Sequence, residues 1–118
     1  MKLFTSQYGY RGEDRVDTTV KTSDKLFAPT WDMVMVHKSG KLSDEEYTER
    51  YYAMMRKSYI ENKNKWNEFL SREQATIVCF CKAGRFCHRL LLADILTKLG
   101  AEYIGEIDTK GILIECKK

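Results

Sequence analysis

Thr76-Ile77-Val78-Cys79-Phe80-Cys81 is an unbroken run of β-branched, aromatic and small apolar residues with no helical period. Such a run is the signature of a strand covered on both faces. Lys82-Ala83-Gly84-Arg85-Phe86 follows as a short basic loop with one glycine. Leu91, Leu92, Ile95, Leu96 and Leu99 then recur at spacings of three and four, and the pattern stops at Gly100, as a helix closed by a glycine does. Only Asp94, Thr97 and Lys98 interrupt that apolar surface, so the helix is expected to be buried on most sides. A chain that must bury this strand and this helix together is led to α/β layering. The first turn of the helix carries Cys87, His88 and Arg89 beside free backbone N–H groups, which makes the junction a candidate anion site.

At 118 residues the chain has the length of a single domain, 1–118. A hydrophobic fraction of 43% suffices for a core, and a lone proline among seven glycines argues against disorder. Lys and Arg number 20 against 17 Asp and Glu, a net charge of +3. That is far from the dense cationic stripe of a nucleic-acid binder, so nucleic acid is not expected as a partner. No apolar run reaches the roughly 18 residues of a membrane span. The start, Met1-Lys2-Leu3-Phe4-Thr5-Ser6-Gln7-Tyr8, turns polar too early for a signal peptide. Four cysteines without a secretory signal point to a reducing, cytoplasmic setting. Nothing in the pattern indicates an oligomeric state.

Residues 2–8 read as a first strand, ended by Gly9 and a polar group. Residues 15–21 are β-branched but have a thin apolar face, which fits an edge strand or an extended segment lining a cleft better than a central strand. Thr30 can cap a short helix through Trp31, Val34 and Met35 that ends near Gly40. Ser43 with Glu46 forms a capping box, and Tyr47, Tyr51, Met54, Met55 and Tyr59 supply the inward face of the long helix it opens. Asn62 to Asn64 should kink or end that helix, before a short amphipathic piece with Trp66, Phe69 and Leu70. Residues 101–107 and 111–116 read as two strands around an Asp108-Thr109-Lys110-Gly111 turn. The order of elements predicts a small single sheet, largely parallel, with flanking helices and a strand–basic loop–helix site. Ligands of such sheets sit at the carboxyl ends of the strands, here Cys79, Cys81 and the loop after them.

Phe27-Ala28-Pro29-Thr30-Trp31, then Lys41-Leu42-Ser43-Asp44-Glu45-Glu46-Tyr47 with Tyr51, then Cys79-x-Cys81 and Phe86-Cys87-His88-Arg89-x-Leu91-Leu92-Ala93 resemble the domain-of-unknown-function family numbered 488 of bacteria, archaea and phages. The resemblance covers nearly the whole chain, and the Cys-His-Arg opening of a helix is its most specific part. It implies a compact α/β domain with a polar site around that tripeptide, and no established reaction. Many members carry an acidic residue two positions after the first cysteine, where this chain has Cys81.

At the site itself, Arg89 can grip a phosphate or carboxylate with its planar fork, His88 can add a switchable donor, and a helix N-terminus lowers the thiol pKa of Cys87. The plainer alternative makes Cys87 a small buried hydrophobe, His88 a cap on carbonyls, and Arg89 the partner of a carboxylate such as Asp17. Lys82 and Arg85 in the same loop tip the balance toward an anionic guest. Cys79 and Arg85 also have the Cys-x5-Arg spacing of cysteine phosphatases, although the helix is expected to open nearer Cys87. Cys79, Cys81, Cys87 and His88 have metal-ligand chemistry. Cys-x-Cys on a buried strand nevertheless fits structural zinc poorly, so neither metal nor cofactor is assigned. Cys116 is expected to be inert core.

Most aromatic residues fall at helical spacing and belong to the core, while Trp31 and Tyr8 lie where they can flank a base. The expectation is a binder of a small phosphorylated ligand, a nucleotide or nucleotide-derived signal. Lys82, Arg85 and Arg89 would hold the anion, and Asp17 would orient Arg89 or a ribose hydroxyl. The alternative is a cysteine-dependent hydrolase or transferase with Cys87 or Cys79 as nucleophile and His88 as base. A protein-interaction module or a structural zinc domain are the remaining classes.

Overall fold

The computed structural model describes residues 1–20, 23, 26–80 and 87–116, with backbone only for Glu115 and Cys116. The expectations for Lys82, Arg85, Cys81 and the Cys116 side chain therefore lie outside the described residues. Among the described residues, one sheet contains β1 (Lys2–Gln7), β2 (Arg15–Asp17), β3 (Gln74–Cys79), β4 (Glu102–Ile107) and β5 (Leu113–Cys116). The order is β2-β3-β1-β4-β5, in which the first four strands run parallel and β5 returns antiparallel to β4. The helices among the described residues are α1 (Trp31–Lys38), α2 (Asp44–Glu61), α3 (Lys63–Leu70) and α4 (His88–Lys98). This is the mixed, mostly parallel α/β fold expected from the order of elements, with β2 at the edge.

Local chemistry accounts for the element ends. Met33 N–H donates to the Thr30 hydroxyl at the start of α1, and both halves of the Ser43/Glu46 capping box form at the start of α2. β2 stops at Asp17 because its carboxylate accepts from the backbone N–H and the hydroxyl of Thr19, turning the chain aside. β3 ends at Cys79, two residues before the expected limit, and Phe80 leaves the sheet to stack on Tyr8. The Asp108 carboxylate accepts from the N–H groups of Lys110 and Ile112, and Gly111 takes a φ of 87°, so the turn uses up the first residues expected of the last strand.

Leu3, Ala75 and Ile77 on one face of the sheet pack with Leu92, Ala93 and Leu96 of α4 and with Tyr51, Trp66 and Phe69. Tyr47, Tyr51 and Met55 are buried along α2, as the helical spacing requires. Tyr51 donates its hydroxyl to the Phe27 carbonyl and Trp66 its ring N–H to Ser58 Oγ, so the polar ends of these rings are satisfied inside. α4 is less enclosed than its composition implied. His88, Arg89, Leu92, Ala93 and Leu96 are buried, whereas Leu90 and Leu99 reach water. No described helix is long and apolar enough to cross a membrane.

Candidate functional site

Polar side chains gather where the parallel strands end and α4 begins. Thr5 and Ser6 come from β1, Thr18 follows β2, Cys79 closes β3, and Glu106 stands near the end of β4. Cys87 is the N-cap of α4, with an extended backbone and no side-chain capping bond, so His88 and Arg89 are the first residues of the helix. All of these residues are buried. Buried polar groups must be paired, and every buried side-chain N or O among the described residues has a partner.

The His88 ring is fixed by Thr18. Its Nε2 lies 2.8 Å from the Thr18 carbonyl and 3.1 Å from Thr18 Oγ1, while the Thr18 hydroxyl proton goes to the Val78 carbonyl. Both atoms facing Nε2 are therefore acceptors, and the network assigns the proton to Nε2. Burial, the largest influence, pushes the imidazole below its usual pKa despite the opposing effect of Cys79 and the Thr18 carbonyl. A neutral ring with its proton on Nε2 leaves Nδ1 an unprotonated acceptor, and the Cys87 thiol, with Sγ 3.7 Å away, is its donor.

Arg89 is enclosed completely. Its Nη2 donates to Glu106 Oε2 at 3.0 Å and its Nε to Oε1 at 3.3 Å, while Nη1 donates to Cys79 Sγ at 3.0 Å. Burial opposes its charge, but Cys79, Cys87 and Glu106 outweigh that and raise its pKa above the ordinary guanidinium value. Glu106 in turn accepts from Thr5 Oγ1 at 2.5 Å, so the Tyr103 hydroxyl, 2.6 Å from Thr5 Oγ1, is the donor there. A chain of bonds thus runs Tyr103–Thr5–Glu106–Arg89–Cys79.

A β-bulge aims Glu106. Leu3 pairs with Tyr103 and Phe4 with Gly105, so Ile104 is the extra residue of β4. In a regular strand Tyr103 and Glu106 would face opposite sides, and the bulge turns both toward Thr5.

The site residues singled out in the sequence divide into groups. Cys79, Cys87, His88 and Arg89 meet, and the ligand atoms of the first three all lie within 4.8 Å of one another. The Arg89 ion pair is made with Glu106, whereas Asp17, expected in that role, holds Thr19. Tyr8 stacks on Phe80 with ring centres 4.4 Å apart, and the Arg15 guanidinium covers it at 4.4 Å. Trp31 opens α1 with half its surface in water. α4 begins at His88, beyond Arg85, whereas a phosphatase-type loop needs its arginine to open the helix. Sequence reasoning missed Glu106, Thr5, Thr18, Tyr103 and Phe80. The readable signal was Gly105 inside a strand pattern, which marks a bulge, next to a glutamate with nowhere polar to go. An apolar groove of about 400 Å³, lined by Tyr52, Met55, Tyr59, Trp66 and Ile95 among others, includes none of this polar cluster.

Residues 1–100 match a family model described as DUF488-N3a, the active DUF488-N3 subclade. No curated protein and no solved structure matches the chain.

Proposed function

We propose that this chain, which belongs to the DUF488 family, binds a small phosphorylated ligand of nucleotide type at the carboxyl edge of its parallel sheet. The observation that carries the reading is the convergence of Thr5, Thr18, Cys79 and Glu106, from or beside four strand ends, on the first residues of α4. Open parallel sheets take their ligands at that edge, and a helix N-terminus favours an anion there. Arg89 is engaged by Glu106 and Cys79, so its part is to hold the frame. The anion falls to Lys82, Arg85 and the N–H groups at the start of α4. The stacked pair Tyr8 and Phe80, at the ends of β1 and β3, offers an aromatic face for a base, with Phe80 60% exposed.

Calorimetry and native mass spectrometry with a panel of nucleoside mono-, di- and triphosphates test this. A nucleotide that binds, is displaced by its own phosphate analogue and is lost in Lys82→Ala/Arg85→Ala supports the reading. Silence across the panel in folded protein overturns it.

A second reading adds a reaction. It is favoured by the 3.7 Å hydrogen bond between Cys87 Sγ and the unprotonated Nδ1 of His88, and by the description of the matching subclade as active. His88 Nδ1 would take the thiol proton and the Cys87 thiolate would attack the ligand's phosphorus, breaking its bond to the leaving oxygen, which departs with the proton from His88. Water would then hydrolyse the phosphorus–sulfur bond and restore the thiol. Turnover abolished by Cys87→Ala, with ligand binding kept, is its signature.

A further inference from the structure

We infer that Cys79, Cys87 and His88 form a binding site for a thiophilic divalent ion of the zinc class. Their ligand atoms all lie within 4.8 Å of one another, in residues that are all buried. The Cys87 Sγ to His88 Nδ1 separation is 3.7 Å. Metal–sulfur and metal–nitrogen bonds of about 2.3 and 2.05 Å at a tetrahedral angle set that separation at about 3.6 Å. This pair needs almost no movement to close on an ion.

The surroundings are those of a ligand shell already in place. The Nε2–H of His88 is committed to the Thr18 carbonyl, which fixes the ring and turns Nδ1 toward the sulfur. Cys79 Sγ accepts an N–H from Arg89 at 3.0 Å, the kind of contact that steadies a metal-bound thiolate. The charges also balance. Two thiolates cancel a divalent ion and Arg89 cancels Glu106, so among the described residues the loaded site carries no net charge. Cys-x-Cys on a buried strand fits zinc poorly, whereas the fold brings Cys79 together with the cap and first residue of α4. Among the described residues the site supplies three ligands of a tetrahedral set.

The inference does not rest on the phosphorylated-ligand reading, and it competes with the nucleophile reading for Cys87. Full-length protein is purified under a phosphine reductant, stripped with chelator, checked for folding by circular dichroism and titrated with cobalt(II). The expected result is one cobalt per chain, with thiolate-to-cobalt charge-transfer absorption, the strong visible bands of a tetrahedral ion, and displacement by zinc. Cys87→Ser should lose charge-transfer intensity, and His88→Gln should shift the zinc competition curve to weaker binding. Because buried substitutions can unfold a chain, the wild type decides. Folded protein that takes up cobalt without thiolate absorption, or none at all, overturns the inference. So does fast alkylation of Cys87 that added zinc fails to slow.

Discussion

Arg89 on α4 and Glu106 on β4 close a two-pronged ion pair out of reach of water, Nη2 to Oε2 at 3.0 Å and Nε to Oε1 at 3.3 Å. The third arm of the fork reaches Cys79 on β3 and the far carboxylate oxygen is shared with Thr5 on β1, so one network ties a helix to three strands. Replacing both members of such a pair with apolar residues is often tolerated, but removing one strands a buried charge. Glu106→Gln, which keeps the shape and deletes the charge, should lower stability by about 3–5 kcal/mol in urea unfolding. Adding Arg89→Met should recover much of that loss. A single-variant loss below about 1 kcal/mol would mean that the pair is not closed in solution.

Asp14 supplies a pH-dependent tie far from these thiols. It accepts from the Tyr10 hydroxyl at 2.6 Å, the Gln74 amide at 2.8 Å and the Thr76 hydroxyl at 2.6 Å, pinning the segment before β2 onto β3. Burial is the largest single influence and raises its pKa, but the bonds from Gln74, Thr76 and Tyr10 together outweigh it, and the net shift is downward. The unfolded chain takes up a proton near the ordinary Asp value of about 3.9, above the folded value. The contribution is therefore complete above that pH and is lost as pH falls through the folded pKa. Asp14→Ala should cost about 1.5–3 kcal/mol at neutral pH, as bonds to a charged group do. The gap between wild type and variant, measured by urea midpoints, should narrow on acidification. A gap that stays constant from neutral to strongly acidic pH would contradict this account.

Phe80 separates a binding role from a packing role. Its ring stacks on Tyr8 at an interplanar angle of 28° while 60% of the residue stays in water. Phe80→Ala should cost no more than the roughly 0.5–1.5 kcal/mol of an aromatic pair in thermal unfolding. If a base stacks there, nucleotide affinity should drop by about 1–3 kcal/mol, roughly 5- to 150-fold. Affinity for inorganic phosphate should hardly change. Equal losses for nucleotide and phosphate would place the base elsewhere.

Features written in one contiguous stretch are legible in the sequence. The β3-to-α4 handover, the Ser43 capping box, the thin edge strand at Val16 and the turn at Asp108 each rest on neighbours in the chain. Cys79, Cys87, His88 and Arg89 could be named for the same reason, since they flank one loop. The contact between Glu106 and Thr5 could not, because it spans 101 positions and no local period encodes it. Strict alternation also misleads along β4. It places Tyr103 and Glu106 on opposite faces, and only the extra residue in the bulge brings them to the same oxygen. Asp17, the acid that the weak second strand offers as a partner for Arg89, accepts from the backbone N–H and hydroxyl of Thr19, and the ion pair of Arg89 is with Glu106.

The bulge itself can be tested through Gly105. Its φ of 149° is in a region that residues with a Cβ rarely adopt, and the residue is buried. Gly105→Ala should therefore lower stability by about 1–3 kcal/mol from backbone strain alone. The chain can relieve that strain by straightening β4, but straightening rotates Glu106 away from Thr5 and Arg89. The two losses are then alternatives and not a sum. In a Glu106→Gln background, where the ion pair is already gone, Gly105→Ala should cost measurably less than it does alone, a coupling of the sign and size seen between residues sharing a network. Strict additivity in that double-mutant cycle would mean that the bulge does not aim the carboxylate, and that Glu106 reaches Arg89 by some other constraint.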